Sequence, residues 1–163
     1  HHAALAASEF IMIGAEDASP APGVIDAIMT ADLIVLPPSN PVVSIGPILA
    51  VPGIRGAVRR TSAPVVGVSP IVGGAPVRGM ADACLSAIGV PTTALGVAQH
   101  YGSRAGDGIL DAWIVDDADA EAVAAIESLG IRSASMNTIF DSPQVAIDVA
   151  QALVGLGEQV RTA

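Results

Sequence analysis

The chain reads as an α/β protein of Rossmann-like type: a parallel sheet with helices on both faces. Three observations predict this. Short uninterrupted apolar runs, FIMIG (10–14), LIVL (33–36) and VVGV (65–68), have the character of strands buried on both sides. Segments of helical spacing alternate with them. Gly- and Pro-rich turns punctuate nearly every junction.

Taken in order, residues 10–14 are expected to form a strand, followed by the turn-rich AEDASPAPG. Residues 24–30 form a helix with Val24, Ile25 and Ile28 on one face. LIVL is a second strand, ended by Pro37 and Pro38. Residues 53–60 make a short helix, 65–68 a third strand, and 79–88 and 92–101 two further helices. Residues 112–115 are a strand, 119–129 a helix and 131–135 a strand. A closing helix spans 142–159, with Ser142 as N-cap and Pro143 in the first turn. GSRAGDG (102–108) is the most flexible-looking connection, and no internal repeat is visible.

A length of 163 residues predicts one domain with a real core. The residues are 52% hydrophobic but only 2% aromatic, so that core must rest on Ala, Val, Ile and Leu. All seven basic residues are Arg, and the net charge of −9 excludes a general nucleic-acid binder. The single cysteine, Cys84, fits a cytoplasmic protein and reads as a buried thiol rather than a nucleophile. Residues 33–54 carry no charge, but five prolines argue against a membrane helix there. No basic segment precedes an apolar one near His1, so no signal peptide is expected.

Two loops follow strands at the end where open α/β sheets bind ligands. PPSNPVVSIG (37–46) supplies Ser39, Asn40 and Ser44, with the amides of Ile45 and Gly46 at a helix start, all suited to an anion. SPIVGGAPVRG (69–79) supplies Ser69, then Gly73 and Gly74 for close backbone approach, and Arg78 as a fork for phosphate oxygens. Arg55 and Arg59, four apart on one helix face, either support that anion or form a solvated face. Neither a P-loop nor a dinucleotide fingerprint is present. Asp82 reads as a helix-terminal charge, or as a group that orients Arg78 or a metal-bound water. Asp116, Asp117 and Asp119 read as a helix start rather than a metal site. His100 reads as a helix-end residue, and Trp113 and Tyr101 as packing residues.

PPSNPVVSIGPILAVPGIRGAV and SPIVGGAPVRGMADACLSAIGV resemble the two signature loops of the CofD/FbiA family. These are the 2-phospho-L-lactate or phosphoenolpyruvate transferases of coenzyme F(420) biosynthesis. The resemblance runs from near residue 10 to about Val115, and more loosely to the C-terminus. It implies transfer of a phospholactyl or phosphoenolpyruvyl group from a guanosine diphosphate-linked donor to the deazaflavin Fo. GMP is released and a divalent metal, usually magnesium, assists. It assigns Ser39, Asn40, Ser44, Gly73, Gly74 and Arg78 to substrate and phosphate binding, joined by Ile45, Gly46 and Ser69 from the loop pattern, and leaves catalytic residues and metal ligands unassigned.

Family members are about twice this length. Their N-terminal half carries a glycine-rich loop and the acidic metal ligands, and neither is found here. Residues 1–163 therefore read as the C-terminal part of a larger CofD-like domain, whose partner is the remaining half or a second copy. The rival within the superfamily is a nucleotide-sugar-binding regulator of the gluconeogenesis-factor type; a third reading is an unrelated structural domain.

Overall fold

The computed structural model describes residues 7–162, so His1 and His2 lie outside it. Four parallel strands form the sheet, in the order β1 (Ile34–Leu36), β2 (Val65–Val68), β5 (Ala112–Asp116), β6 (Arg132–Met136). Val65, Val66, Val68 and every residue of β5 are buried, which explains why these segments are continuous apolar runs rather than alternating ones.

The helices lie on both faces but unequally. The face presenting Leu36, Val65, Trp113 and Val115 packs against Ile54 and Val58 of α3 (Ile54–Arg60). The same layer holds α4 (Ala81–Ala87), α5 (Ala94–Tyr101) and Ile126 of α6 (Val123–Glu127). Val24, Ile25 and Ile28 of α1 (Val24–Thr30) join its edge, as their spacing predicts. The opposite face, Val66, Val68, Ala112 and Ile114, is covered by one helix, α7 (Pro143–Arg161), through Val149, Leu153 and Leu156. Ser142 caps α7, its side chain accepting from the Val145 amide. On this face Val35, in the outer strand β1, remains 42% exposed.

Three expectations need correction. Residues 10–14 are not a strand: among the described residues β1 is an edge of the sheet paired only with β2, and Ile11 and Ile13 are 74% and 95% exposed. An apolar run without a neighbour to bond to makes no ladder. The expected helix over 119–129 is broken into a 3₁₀ stretch (Asp117–Ala122) and α6, because Asp119 has non-helical backbone angles. The segment around Gly73 and Gly74 is a small hairpin, β3 (Ile71–Val72) paired antiparallel with β4 (Ala75–Pro76). Its turn places both glycines at positive φ, 56° and 81°, a backbone conformation that by itself calls for glycine.

At the amino end of the strands, the 102–108 connection is pinned rather than loose. A Cβ on Gly108 would stand 2.0 Å from the Gly102 carbonyl carbon. Arg104 pairs with Asp111 at 2.6 Å and also donates to the carbonyls of Thr61 and Ala63. Asp111 in turn accepts from the Val65 amide at 2.8 Å. This cluster ties the entry of β5 to the entry of β2.

No single helix among the described residues is long and apolar enough to cross a membrane. The apolar stretch comprising a π-type turn (Pro41–Ile45), α2 (Gly46–Ala50) and α3 is bent by 87°, and it buries Val42, Ile45, Ile54 and Val58 in the core.

Candidate functional site

Because β1 and β2 are adjacent and parallel, the loops that follow them emerge side by side at the carboxyl end of the sheet. Between them lies a pocket of about 380 Å³. The first loop contributes Pro38 and Asn40 to it. The second contributes Ser69, Pro70, Val72, Val77 and Arg78, with Ala81 at the start of α4. The segment between β6 and α7 closes a further side with Thr138, Ile139, Phe140 and Asp141.

Of the residues singled out from sequence, Asn40, Ser69 and Arg78 line this pocket. Asn40 also shapes the loop: its Oδ1 accepts from the amides of Val42 and Val43, capping the turn that leads into α2. Ser69 is 2% exposed, and its hydroxyl both donates to the Ile71 carbonyl and accepts from the Ile71 amide. It thereby folds the chain back toward the hairpin. Arg78 is exposed and makes no salt bridge among the described residues, which leaves its guanidinium open to a ligand.

The other candidates sit nearby without lining the pocket. Ser39 precedes Asn40, and Ser44 is exposed on the turn. The amides of Ile45 and Gly46 donate within the turn, to the carbonyls of Asn40 and Pro41. Gly73 and Gly74 lie at the hairpin tip, where the Gly73 amide donates to Asp119 at 2.9 Å. Two arginines lie elsewhere. Arg59 donates to the Gly106 carbonyl and to Asp107 at the amino end of the sheet, and Arg55 faces a hollow there beside His100. They give the carboxyl-end loops no support.

Asp116, the last residue of β5, is buried. Burial works against its charge, but bonds from the Ala118 amide and from the amide and hydroxyl of Thr138 outweigh it and hold the carboxyl below its ordinary range. Asp82 is exposed in the first turn of α4, away from the pocket. Cys84 and Trp113 are buried, and Tyr101 packs edge-on to Trp113 with ring centroids 5.7 Å apart. Burial pushes the Tyr101 hydroxyl far up and, with Arg55, pushes the His100 imidazole down.

Among the described residues, no three His, Cys, Asp or Glu side chains cluster closely enough to hold a metal ion. The magnesium implied by the resemblance finds no such cluster among them.

The site missed from sequence is the Thr138–Asp141 wall. Two signals could have found it. It follows a strand at the ligand-binding end, and it holds Phe140, one of the two phenylalanines in the chain.

A Rossmann-like sheet with an arginine-lined pocket at its carboxyl end defines the class: an α/β protein whose pocket lies where open sheets of this kind bind ligands. The particular family follows from comparison. Residues 1–153 match the model of CofD, 2-phospho-L-lactate transferase, and the chain belongs to that family. It is 53% identical to a phosphoenolpyruvate transferase of Streptomyces griseus, over 98% of this chain and 49% of the relative. A phosphoenolpyruvate transferase of Nocardia farcinica is 54% identical over 88% of this chain and 42% of its own length. The chain thus spans about half the length of the curated relatives it matches. The crystal structure of protein BH3568 from Bacillus halodurans shares the fold, with a TM-score of 0.53 at 22% identity, covering 83% of this chain and 47% of that one.

Proposed function

We propose that this chain forms one wall of the donor site of a transferase in coenzyme F(420) biosynthesis. The enzyme moves a phosphoenolpyruvyl or phospholactyl group from a guanosine diphosphate-linked donor to Fo. A hydroxyl oxygen of the Fo ribityl chain attacks the phosphorus carrying the enolpyruvyl or lactyl group. The bond from that phosphorus to the bridging oxygen breaks, GMP leaves with the bonding electrons, and the hydroxyl proton is lost. The role of these residues is to bind and orient, which is where most catalysis of phosphoryl-type transfer resides. Arg78 neutralises donor phosphate oxygens, and Asn40 sets the facing loop.

One observation carries this reading: Arg78 and Asn40, from the two loops that resemble the family signature, face the same pocket. The names of the relatives favour phosphoenolpyruvyl over phospholactyl. We place the acidic magnesium ligands in the part of the family chain that this sequence does not match. The reaction is cytoplasmic and involves neither nucleic acid nor membrane.

The test is conversion of Fo to its phosphorylated product, followed by chromatography with magnesium and the guanylated donor present. Residues 1–163 alone should bind GDP without turnover. The same chain joined to the N-terminal half of the Streptomyces griseus relative should turn over, and Arg78→Ala should abolish that turnover. Robust turnover by residues 1–163 alone would overturn the one-wall reading. Binding of UDP-sugars in preference to GDP would replace it with the regulator.

A further inference from the structure

The segment leaving β6 has few anchors. Within residues 137–141, the Ile139 amide donates to Asn137 Oδ1 at 2.9 Å and the Asp141 amide to the Ile139 carbonyl at 2.7 Å. Both bonds are local. Among the described residues, the bonds from this segment to the rest of the fold are those of Thr138, whose amide and hydroxyl donate to Asp116 Oδ2 at 2.8 Å and 3.0 Å. The other carboxylate oxygen, Oδ1, accepts from the Ala118 amide at 3.0 Å.

Thr138 and Asp116 are both nearly excluded from solvent, at 4% and 7% exposure. Among the described residues the ion pairs are Arg59–Asp107 and Arg104–Asp111, so Asp116 is held by hydrogen bonds and not by a cation. Burying a carboxylate in this way is costly unless its bonds are all made. Cap formation at Ala118 uses only one of the two oxygens. The second is spent on the pocket wall.

We propose that Asp116 is a positioning residue. Through Thr138 it fixes residues 138–141 as the pocket wall shared with Arg78, and so sets where a ligand held by Arg78 comes to rest. This role in ligand placement rests on the donor-site reading above; the ordering of the wall does not.

The wall is read first, without ligand, using Phe140→Trp as a fluorescent reporter in the whole chain. Trp113 is buried and contributes a constant, protected signal. Adding Asp116→Asn or Thr138→Val should raise acrylamide quenching of the introduced indole by about twofold or more, as local opening of an otherwise folded chain requires. Thr138→Ser keeps the hydroxyl and should leave quenching at the parent value. Thr138→Val spares the Ala118 cap, so it remains decisive if Asp116→Asn does not fold. Unchanged quenching in Thr138→Val would overturn the proposal.

Binding is read second, with GDP as the probe and Phe140 intact. Asp116→Asn and Thr138→Val should each weaken GDP about tenfold, or roughly 1.4 kcal/mol, and Thr138→Ser should not. If the wall loosens while GDP affinity stays at the parent value, the positioning role is overturned. If GDP fails to bind the parent chain, the donor-site reading falls, while the quenching result still decides the ordering.

Discussion

The indole of Trp113 occupies the space that a side chain at position 67 would need. A Cβ on Gly67 would stand 2.5 Å from Trp113 Cζ3 and 3.2 Å from Leu36 Cβ. The two residues are register partners in β2 and β5, so neither can withdraw without breaking the ladder. Gly67→Ala is therefore an overpacking change at the centre of the sheet. It should cost about 1–3 kcal/mol in chemical denaturation and red-shift the Trp113 emission. A variant with wild-type stability and an unshifted spectrum would mean the ring is not held there.

Arg104 and Asp111 are both largely buried, with side chains 17% and 15% exposed. Asp111→Ala removes the partner of Arg104 and the acceptor of the Val65 amide together. Breaking one side of such a pair should cost about 3–5 kcal/mol in urea unfolding. A loss below about 1 kcal/mol would assign the pair to the weak class of surface bridges.

Arg78 can present a planar fork to a phosphate; a lysine presents a point charge. Arg78→Lys should weaken binding of GDP by about 1–3 kcal/mol in calorimetry, with thermal stability unchanged because the side chain is exposed. Equal affinity in both forms would reduce Arg78 to a surface charge.

His100 gives a pH dependence. Burial, then Arg55, lowers its folded pKa below the ordinary 6.5. The unfolded chain therefore takes up a proton first as pH falls, and stability drops through that window until the folded form also protonates. It is fully retained above the unfolded value. Thermal unfolding should show a lower Tm at about pH 5.5 than at about pH 7.5, and His100→Gln should flatten that part of the curve. A slope identical in both proteins would place its origin in the carboxylates.

Much of the sheet is legible in the sequence because its central strands are buried on both faces. VVGV and the run AWIV (112–115) announce themselves by lacking polar residues, and LIVL reads the same way although β1 is an edge strand with Val35 exposed. FIMIG has the same composition and forms no strand, since a strand is defined by its neighbour and composition does not report neighbours. The hairpin at Gly73–Gly74 leaves no periodic signal because each arm is only two residues long. In the site, Asn40, Ser69 and Arg78 were readable from the two loops. Thr138 and Asp116 were not, because their contact joins residues 22 positions apart through one buried carboxylate.

The pinning cluster of Arg104, Asp111 and Gly108 and the ligand loops lie at opposite poles of the parallel sheet. The five residues of β5 separate them by roughly 16 Å at the usual rise of a strand. At that distance substitutions act independently, and their free energies add. Ligand preference can thus be retuned at Val77 or Phe140 on a scaffold whose thermal tolerance is adjusted separately at Arg104 or Asp111, whereas Asn40, which caps its loop, would change both. A combinatorial library confined to Val77 and Phe140, which are 54% and 49% exposed, should retain a nearly uniform melting temperature while its ligand affinities diverge.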